Sequence, residues 1–237
     1  MPVQKEIAFQ LIEVNRQFYQ TFGAAFSATR GRIQPGVRRV MGGLLLETRL
    51  LDLGCGNGEF ARALAAAGFR GEYTGLDFSL PLLREADSQP DGLRATFRQV
   101  DLTADDWHLT TGRFPLITCF ATLHHIPGAE LRLKLLNQAR AALSPGGRLI
   151  LSVWQFLHSE RLKARILPWE QVHLSAVDEG DFLLDWRSGG LGLRYAHHFS
   201  AAELSQLAAQ SGFRVADSFF SDGAEGNLGL YQTWEAQ

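Results

Sequence analysis

Cysteine is scarce. The 237 residues contain two, Cys55 and Cys119, too few for the disulfide framework that staples small secreted domains. Each falls within an apparent strand or its turn, so both are expected as buried, reduced thiols of a cytoplasmic protein. No set of Cys and His stands at ligand spacing, and no metal is expected. Long apolar runs are missing too. None approaches the roughly 20 residues needed to span a bilayer, so no membrane partner is expected. The opening residues MPVQKEIAFQ lack the charged-then-apolar order of a secretory signal. There is also no excess of one charge. Lys and Arg total 23 against 25 Asp and Glu, a net charge of −2, which excludes a globally basic polyanion binder. Internal repeats and low-complexity segments are absent.

What is present is ordinary globular material, with 46% hydrophobic and 20% charged residues. The length suits one large domain or a domain with a subdomain. Positive charge is concentrated locally. Arg30, Arg32, Arg38 and Arg39 lie within ten residues, and Arg161, Lys163 and Arg165 alternate further on. Such clusters fit either a nucleic-acid face or a solvated surface.

Ile7, Leu11, Val14, Phe18, Phe22 and Phe26 recur near helical spacing and predict an amphipathic helix over 1–26, followed by a short helix over 35–46. Then the pattern alternates. RLLDLG (49–54), EYTGLD (72–77), TFRQVD (96–101), PLITCFAT (115–122) and RLILSVW (148–154) read as buried strands. The segments 60–68, 80–87 and 128–143 read as helices, with Ser79 as an N-cap and Ser-Pro-Gly-Gly as a stop. Strands alternating with helices imply βαβ units and a parallel sheet. Residues 155–199 break the rhythm and read as an insertion of a helix or two and loops. A helix over 201–212 and strands over 213–220 and 228–235, joined by SDGAEGN, close the chain as an antiparallel pair. The predicted fold is therefore α/β: a Rossmann-like, seven-stranded, mostly parallel sheet with helices on both faces and an antiparallel last strand. The expected organisation is a helical cap over 1–46, a core of 47–154 and 200–237, and an acceptor-binding lid over 155–199.

The chemistry begins at Asp52-Leu53-Gly54-Cys55-Gly56-Asn57-Gly58. Glycines at alternate positions after a strand allow positive φ and close approach of backbone to a ligand. The following helix offers free N–H groups to an anion. The next strand ends in Asp77, about twenty residues on, where a carboxylate can hold ribose hydroxyls. The strand after it ends at Asp101. The loop is G-x-G-x-G, not the G-x-G-x-x-G of NAD sites, which disfavours an NAD-dependent oxidoreductase.

With Gly75-Leu76-Asp77, Asp101-Leu102 and Leu143-Ser144-Pro145-Gly146-Gly147, this order of motifs resembles the class I S-adenosylmethionine-dependent methyltransferases. The resemblance implies S-adenosylmethionine as cofactor and S-adenosylhomocysteine as product. It places the glycine loop (Asp52, Gly54, Cys55, Gly56, Asn57) at the methionine end and Asp77 on ribose. Phe78, Ser79, Asp101, Leu102 and Phe120 would surround the rest, and Asp101 would meet the adenine amino group. Outlying segments are similar to one branch, the eukaryotic tRNA wobble-uridine carboxymethyl methyltransferases. They are Asn15-Arg16-Gln17-Phe18-Tyr19, Phe26-Ser27-Ala28-Thr29-Arg30, Thr122-Leu123-His124-His125, Val153-Trp154-Gln155, Gly180-Asp181-Phe182-Leu183 and Arg194-Tyr195-Ala196-His197. Ala196 stands where that branch carries a second tyrosine.

Methyl transfer from a sulfonium is an in-line displacement governed by alignment. A carboxylate acceptor is already ionised at neutral pH and needs orientation, whereas a hydroxyl or amine wants a base, most often His. His125, His124 and Arg30 are the expected catalytic residues. Tyr19 and Arg30 are expected to fold over the cofactor, and Arg30 to pair with a carboxylate. Trp154, Arg194, Tyr195 and His197 are expected around the acceptor, with Trp186 as a further lining residue. The acceptor stays open between a modified tRNA base, implied by the branch, and a small molecule methylated on oxygen or nitrogen. So does a catalytically silent cofactor-binding module. The branch also implies a small activator protein as partner.

Overall fold

A computed structural model describes residues 5–28, 32–87, 93–174 and 177–237. The chain begins with α1 (Lys5–Ala28) and α2 (Pro35–Met41) and then alternates: β1 (Arg49–Leu53), α3 (Glu59–Ala66), β2 (Glu72–Asp77), α4 (Leu80–Ala86), β3 (Arg94–Gln99), α5 (His108–Thr111), β4 (Phe114–Phe120), α6 (Ala129–Ala142) and β5 (Leu143–Trp154). A tight 3-10 turn, Leu123–His125, lies between β4 and α6. The insertion holds α7 (Glu160–Lys163), β6 (Ile166–Leu167), β7 (Asp181–Trp186) and β8 (Gly192–His197). The chain closes with α8 (Ala201–Gln210), β9 (Phe213–Ser221) and β10 (Gly229–Ala236).

The large sheet has the order β3-β2-β1-β4-β5-β10-β9. β1 to β5 pair in parallel, and β10 runs antiparallel to both its neighbours. This is the expected Rossmann-like, mostly parallel sheet. The connection reverses direction between β1 and β4, which opens a crevice beyond the carboxyl ends of the strands.

Two apolar layers sandwich the sheet because successive strand residues point to opposite faces. Leu51, Ile117, Leu149 and Trp234 pack with Leu135 and Leu136 of α6 and Leu204 and Leu207 of α8. Their neighbours Leu50, Leu116, Ile150 and Tyr231 pack on the other face with Val37 of α2 and Phe60 and Leu64 of α3. Both cysteines are buried free thiols, and burial pushes the Cys119 thiol up to about 12. Among the described residues no helix is long and apolar enough to cross a membrane.

α2 is anchored from far along the chain. The Gly36 N–H donates to Asp222 Oδ1 at 2.8 Å and the Tyr231 hydroxyl to Asp222 Oδ2 at 2.7 Å. A Cβ on Gly36 would lie 2.2 Å from Tyr231 Cε2, so only glycine lets α2 dock this closely.

The insertion corrects the expectation of helices and loops. Its main element is a three-stranded antiparallel sheet in the order β6-β7-β8. β7 is buried on both faces for most of its length, which erases the polar alternation that would mark a strand. The free edge of β8 is covered by α1. Asn15 Oδ1 accepts from the Tyr195 N–H at 2.9 Å and its Nδ2 donates to the Tyr195 carbonyl at 3.1 Å, in place of a neighbouring strand.

A buried ionic network fastens this small sheet to α6 and α8. Asp181 Oδ1 accepts from Tyr195 Oη and from His197 Nδ1, each at 2.7 Å, with Arg132 Nη2 at 3.5 Å. His197 Nε2 lies 2.8 Å from Glu203 Oε1. A neutral imidazole has one N–H and serves one of these two carboxylates; the charged ring serves both. Burial opposes the charge, yet the bonds to Asp181 and Glu203 outweigh it and raise the His197 pKa above its ordinary 6.5. Burial likewise pushes Glu203 up, but the bond and charge of His197 carry it below its ordinary 4.5.

The raised histidine stabilises fully below 6.5, and that stability is lost as pH rises through its folded pKa. The lowered glutamate stabilises fully above 4.5 and loses this as pH falls through its folded pKa. Both contributions are in force between 4.5 and 6.5. The gap in unfolding free energy between wild type and His197→Gln should therefore be widest there and narrow on the alkaline side. Urea titrations across pH check this, and a gap that grows with pH would mean the ring is neutral in the folded chain.

Candidate active site

A cavity of about 860 Å³ lies beyond the carboxyl ends of β1, β2, β4 and β5, roofed by α1, the segment leading into α2, and the insertion. Its floor is the glycine loop after β1. Gly54, Gly56 and Gly58 have φ of +77°, +55° and +76°, the left-handed region that favours glycine. A Cβ on Gly54 would lie 2.1 Å from Thr122 Oγ1, while one on Gly56 would meet nothing within 4 Å. One glycine makes room for a neighbouring turn, and the other leaves open space. The Gly54 and Cys55 N–H groups donate to the Leu76 carbonyl at 2.8 and 3.0 Å, locking the loop to the end of β2.

Asp77 sits against that loop. Its carboxylate accepts from the Gly56 N–H at 2.9 Å and the Ser79 N–H at 2.8 Å. Burial raises its pKa against those bonds. Ser79 makes no side-chain cap on α4 and does not line the cavity; the polar group that takes up its N–H is Asp77. Asp52 lines the cavity, but its oxygens accept from Tyr73 at 2.5 Å and Thr118 at 2.7 Å, stitching β1 to β2 and β4. Burial pushes its pKa up to about 6.

Asp101 lies two residues beyond β3 and is engaged on both oxygens. Oδ1 takes the Thr103 N–H and hydroxyl at 2.9 and 2.6 Å, and Oδ2 takes Arg16 Nη2 at 2.8 Å. That ion pair holds α1 over the cavity. Asn57, Phe78, Leu102 and Phe120 complete the wall.

At the far end stand the two histidines. The Tyr195 carbonyl only accepts, so His125 Nδ1, at 2.9 Å from it, carries a proton. In its neutral form the ring accepts at Nε2 from the Tyr19 hydroxyl, 3.1 Å away. His124 is buried beside it, with ring centroids 4.3 Å apart, and its Nδ1 accepts from the Trp154 N–H at 3.3 Å.

Beyond them, the Arg194 guanidinium is 5% exposed and lines the cavity. Its carbon stands 5.1 Å from the Phe18 ring centroid, 5.8 Å from Phe26, and 5.2 Å from both Trp154 and Trp186. Four aromatic faces within about 6 Å make a cation–π cage.

Of the expected acceptor residues, Trp154 and Arg194 line the cavity, as does Trp186. Tyr195 and His197 do not, which corrects their expected placement. On β8 alternate residues face opposite ways: Arg194 turns to the cavity, and Tyr195 and His197 turn to the buried network. Arg30 lies outside the described residues. The expectation also omitted Arg16, Arg32, Arg161, Arg165, Arg187, Thr122, Asp222 and Tyr231 from the wall. Clustering of arginines was a usable signal for three of these; the C-terminal pair had none.

Comparison with known proteins agrees with the fold. A family model described as a methyltransferase domain matches residues 15–218. A candidate methyltransferase of Encephalitozoon cuniculi is 29% identical over 205 residues, covering 85% of this chain and 87% of that protein. The ubiquinone biosynthesis O-methyltransferase of Coxiella burnetii is 26% identical over 172 residues, covering 71% of this chain but only 64% of that protein. The fold resembles that of magnesium protoporphyrin IX methyltransferase from Synechocystis with bound S-adenosylhomocysteine. The TM-score is 0.68 at 19% identity, over 95% of this chain and 99% of that one.

Proposed function

The chain belongs to the methyltransferase domain family and is an S-adenosylmethionine-dependent enzyme, and on that premise we propose that its acceptor is a carboxylate, methylated on oxygen. The carrying observation is Arg194, a buried guanidinium caged by four aromatic rings in the wall of the cavity that holds His124 and His125. Arginine stays charged at all relevant pH and offers a planar fork matched to a carboxylate. Such an acceptor needs placement, not deprotonation. The arrangement of His125 agrees with that demand, since its Nε2 is engaged with the Tyr19 hydroxyl.

On this reading the glycine loop holds the methionine end of the cofactor and Asp77 the ribose. Phe78 and Leu102 flank adenine, and Asp101 holds α1 shut through Arg16. The insertion is the acceptor lid. The carboxylate we favour is the carboxymethyl group of a wobble uridine in tRNA, with Arg32, Arg161, Arg165 and Arg187 at the cavity wall meeting flanking phosphates. An activator protein, if one is used, would act on that larger complex. A small-molecule oxygen acceptor is the second reading, favoured by the similarity to the ubiquinone biosynthesis O-methyltransferase.

The test supplies methyl-labelled S-adenosylmethionine with tRNA bearing 5-carboxymethyluridine, the same tRNA unmodified, and small carboxylic acids. Label in the carboxymethyl tRNA that mild alkali releases as methanol is expected. Arg194→Met should lower kcat/KM by roughly 10- to 150-fold, the worth of about 1.5–3 kcal/mol of charge-assisted hydrogen bonding, with S-adenosylhomocysteine affinity unchanged. Alkali-stable label would point to an amine or hydroxyl acceptor and defeat the proposal. Cofactor binding with no transfer to any acceptor would favour a silent binding module.

A further inference from the structure

Beside the Asn15 amide, whose Nδ2 lies 3.4 Å from both His125 Nδ1 and the His125 carbonyl, two peptide carbonyls help set the place of the His125 ring. One is that of Tyr195, which accepts from Nδ1 at 2.9 Å. The other belongs to Ile126, the next residue in the chain. Both lead to the same side chain. Arg132 Nε donates to the Ile126 carbonyl at 2.9 Å, and its Nη2 donates to Tyr195 Oη at 3.1 Å. Tyr195 Oη in turn donates to Asp181 Oδ1 at 2.7 Å. Arg132 is 4% exposed and stands outside the cavity wall, so it touches neither cofactor nor acceptor. Its guanidinium is braced 5.1 Å above the Phe199 ring. A rigid fork binding a turn and a strand together is a task lysine performs poorly.

We propose that Arg132, acting with Tyr195 and Asp181, is a positioning residue for His125. It holds the turn carrying His125 at a fixed distance from the β8 carbonyl, so the ring keeps its proton on Nδ1 and presents the Nε2 lone pair toward Tyr19 and the cavity. Which ring nitrogen carries the proton is set by the bond the other atom makes. A ring loosened from the Tyr195 carbonyl drifts toward the Nε2–H form favoured by imidazole in water. The significance for methyl transfer rests on the acceptor reading above; the tautomer does not.

The experiment records two-bond proton–nitrogen correlation spectra of the full-length, nitrogen-15-labelled protein, with His125 assigned by its loss in His125→Gln. Wild type should show the Nδ1–H pattern. Arg132→Lys should show a mixture of tautomers. Tyr195→Phe, which removes one oxygen and leaves the fold's packing intact, should show the same in smaller proportion. With carboxymethyl-bearing tRNA as acceptor, Arg132→Lys should lower kcat roughly 10- to 100-fold, as displacement of a reacting partner does, with S-adenosylhomocysteine affinity unchanged. If wild type leaves that tRNA unmethylated, the acceptor reading fails while the tautomer shift still decides this proposal. A folded Arg132→Lys or Tyr195→Phe protein whose His125 keeps an undivided Nδ1–H signature overturns it.

Discussion

Replacing Asp181 with alanine is expected to lower the unfolding free energy by about 3–5 kcal/mol, the usual cost of deleting one partner of a buried charge cluster. The carboxylate is fully buried, and its partners Arg132 and His197 have side chains only 4% and 2% exposed. Without it, the Arg132 guanidinium loses its counter-ion and the His197 ring is left with Glu203 alone. Both side chains are almost wholly buried, so their desolvation is no longer offset. Asp181→Asn should cost less, because the amide oxygen still accepts from Tyr195, but its NH2 group now faces donors. Urea unfolding at constant m-value is the measurement. A loss below about 1 kcal/mol would show that the network is replaceable by apolar packing.

The second large effect is expected at Gly54. Gly54→Ala places a Cβ 2.1 Å from Thr122 Oγ1 and 2.6 Å from its Cγ2, at a φ of +77°. Left-handed backbone costs a non-glycine residue about 1–2 kcal/mol, and overpacking adds about 1–3 kcal/mol. Both the strand-to-helix turn and the Thr122 turn must give way, and those turns carry the glycine loop and the two histidines. Loss of most stabilisation by S-adenosylhomocysteine in a thermal-shift titration should accompany the lower melting temperature. Adding Thr122→Ala removes the worst overlap but not the φ strain, so it should recover part of the stability and not all. Full recovery in the double variant would assign the effect to sterics alone.

Local constraints were the legible ones. Three glycines at alternate positions mark a backbone that must turn left-handed, and Asp77 is fixed by its distance from them along one βα unit. Parallel strands, buried on both faces, appear as short apolar runs. Facing direction was harder. Arg194, Tyr195 and His197 are neighbours in sequence, and only the register of β8 on β7 sends the first to the cavity and the others to the buried network. Asp52 looks like a cofactor ligand from its place in the loop, yet Tyr73 and Thr118, 21 and 66 residues away, claim both its oxygens. Arg16 carries no local mark at all. Its meaning comes from Asp101, 85 residues on, and a single sequence does not display such pairings. The β7–β8 hairpin stayed hidden because burial of both faces had removed its alternation.

The anchoring of α2 on the last hairpin sets an order of events during synthesis. Gly36 and Asp222 are 186 residues apart, and Asn15 and Tyr195 are 180 apart. At about 5–20 residues per second, a ribosome that has made Gly36 needs roughly 10–40 s more before Asp222 exists. Late in that interval β1 to β5 already carry the glycine loop and Asp77, and Arg16 can already reach Asp101, but α2 still lacks its anchor on the last hairpin. Until Asp222 is made, the nascent chain holds a cavity whose α2 side is not yet fastened.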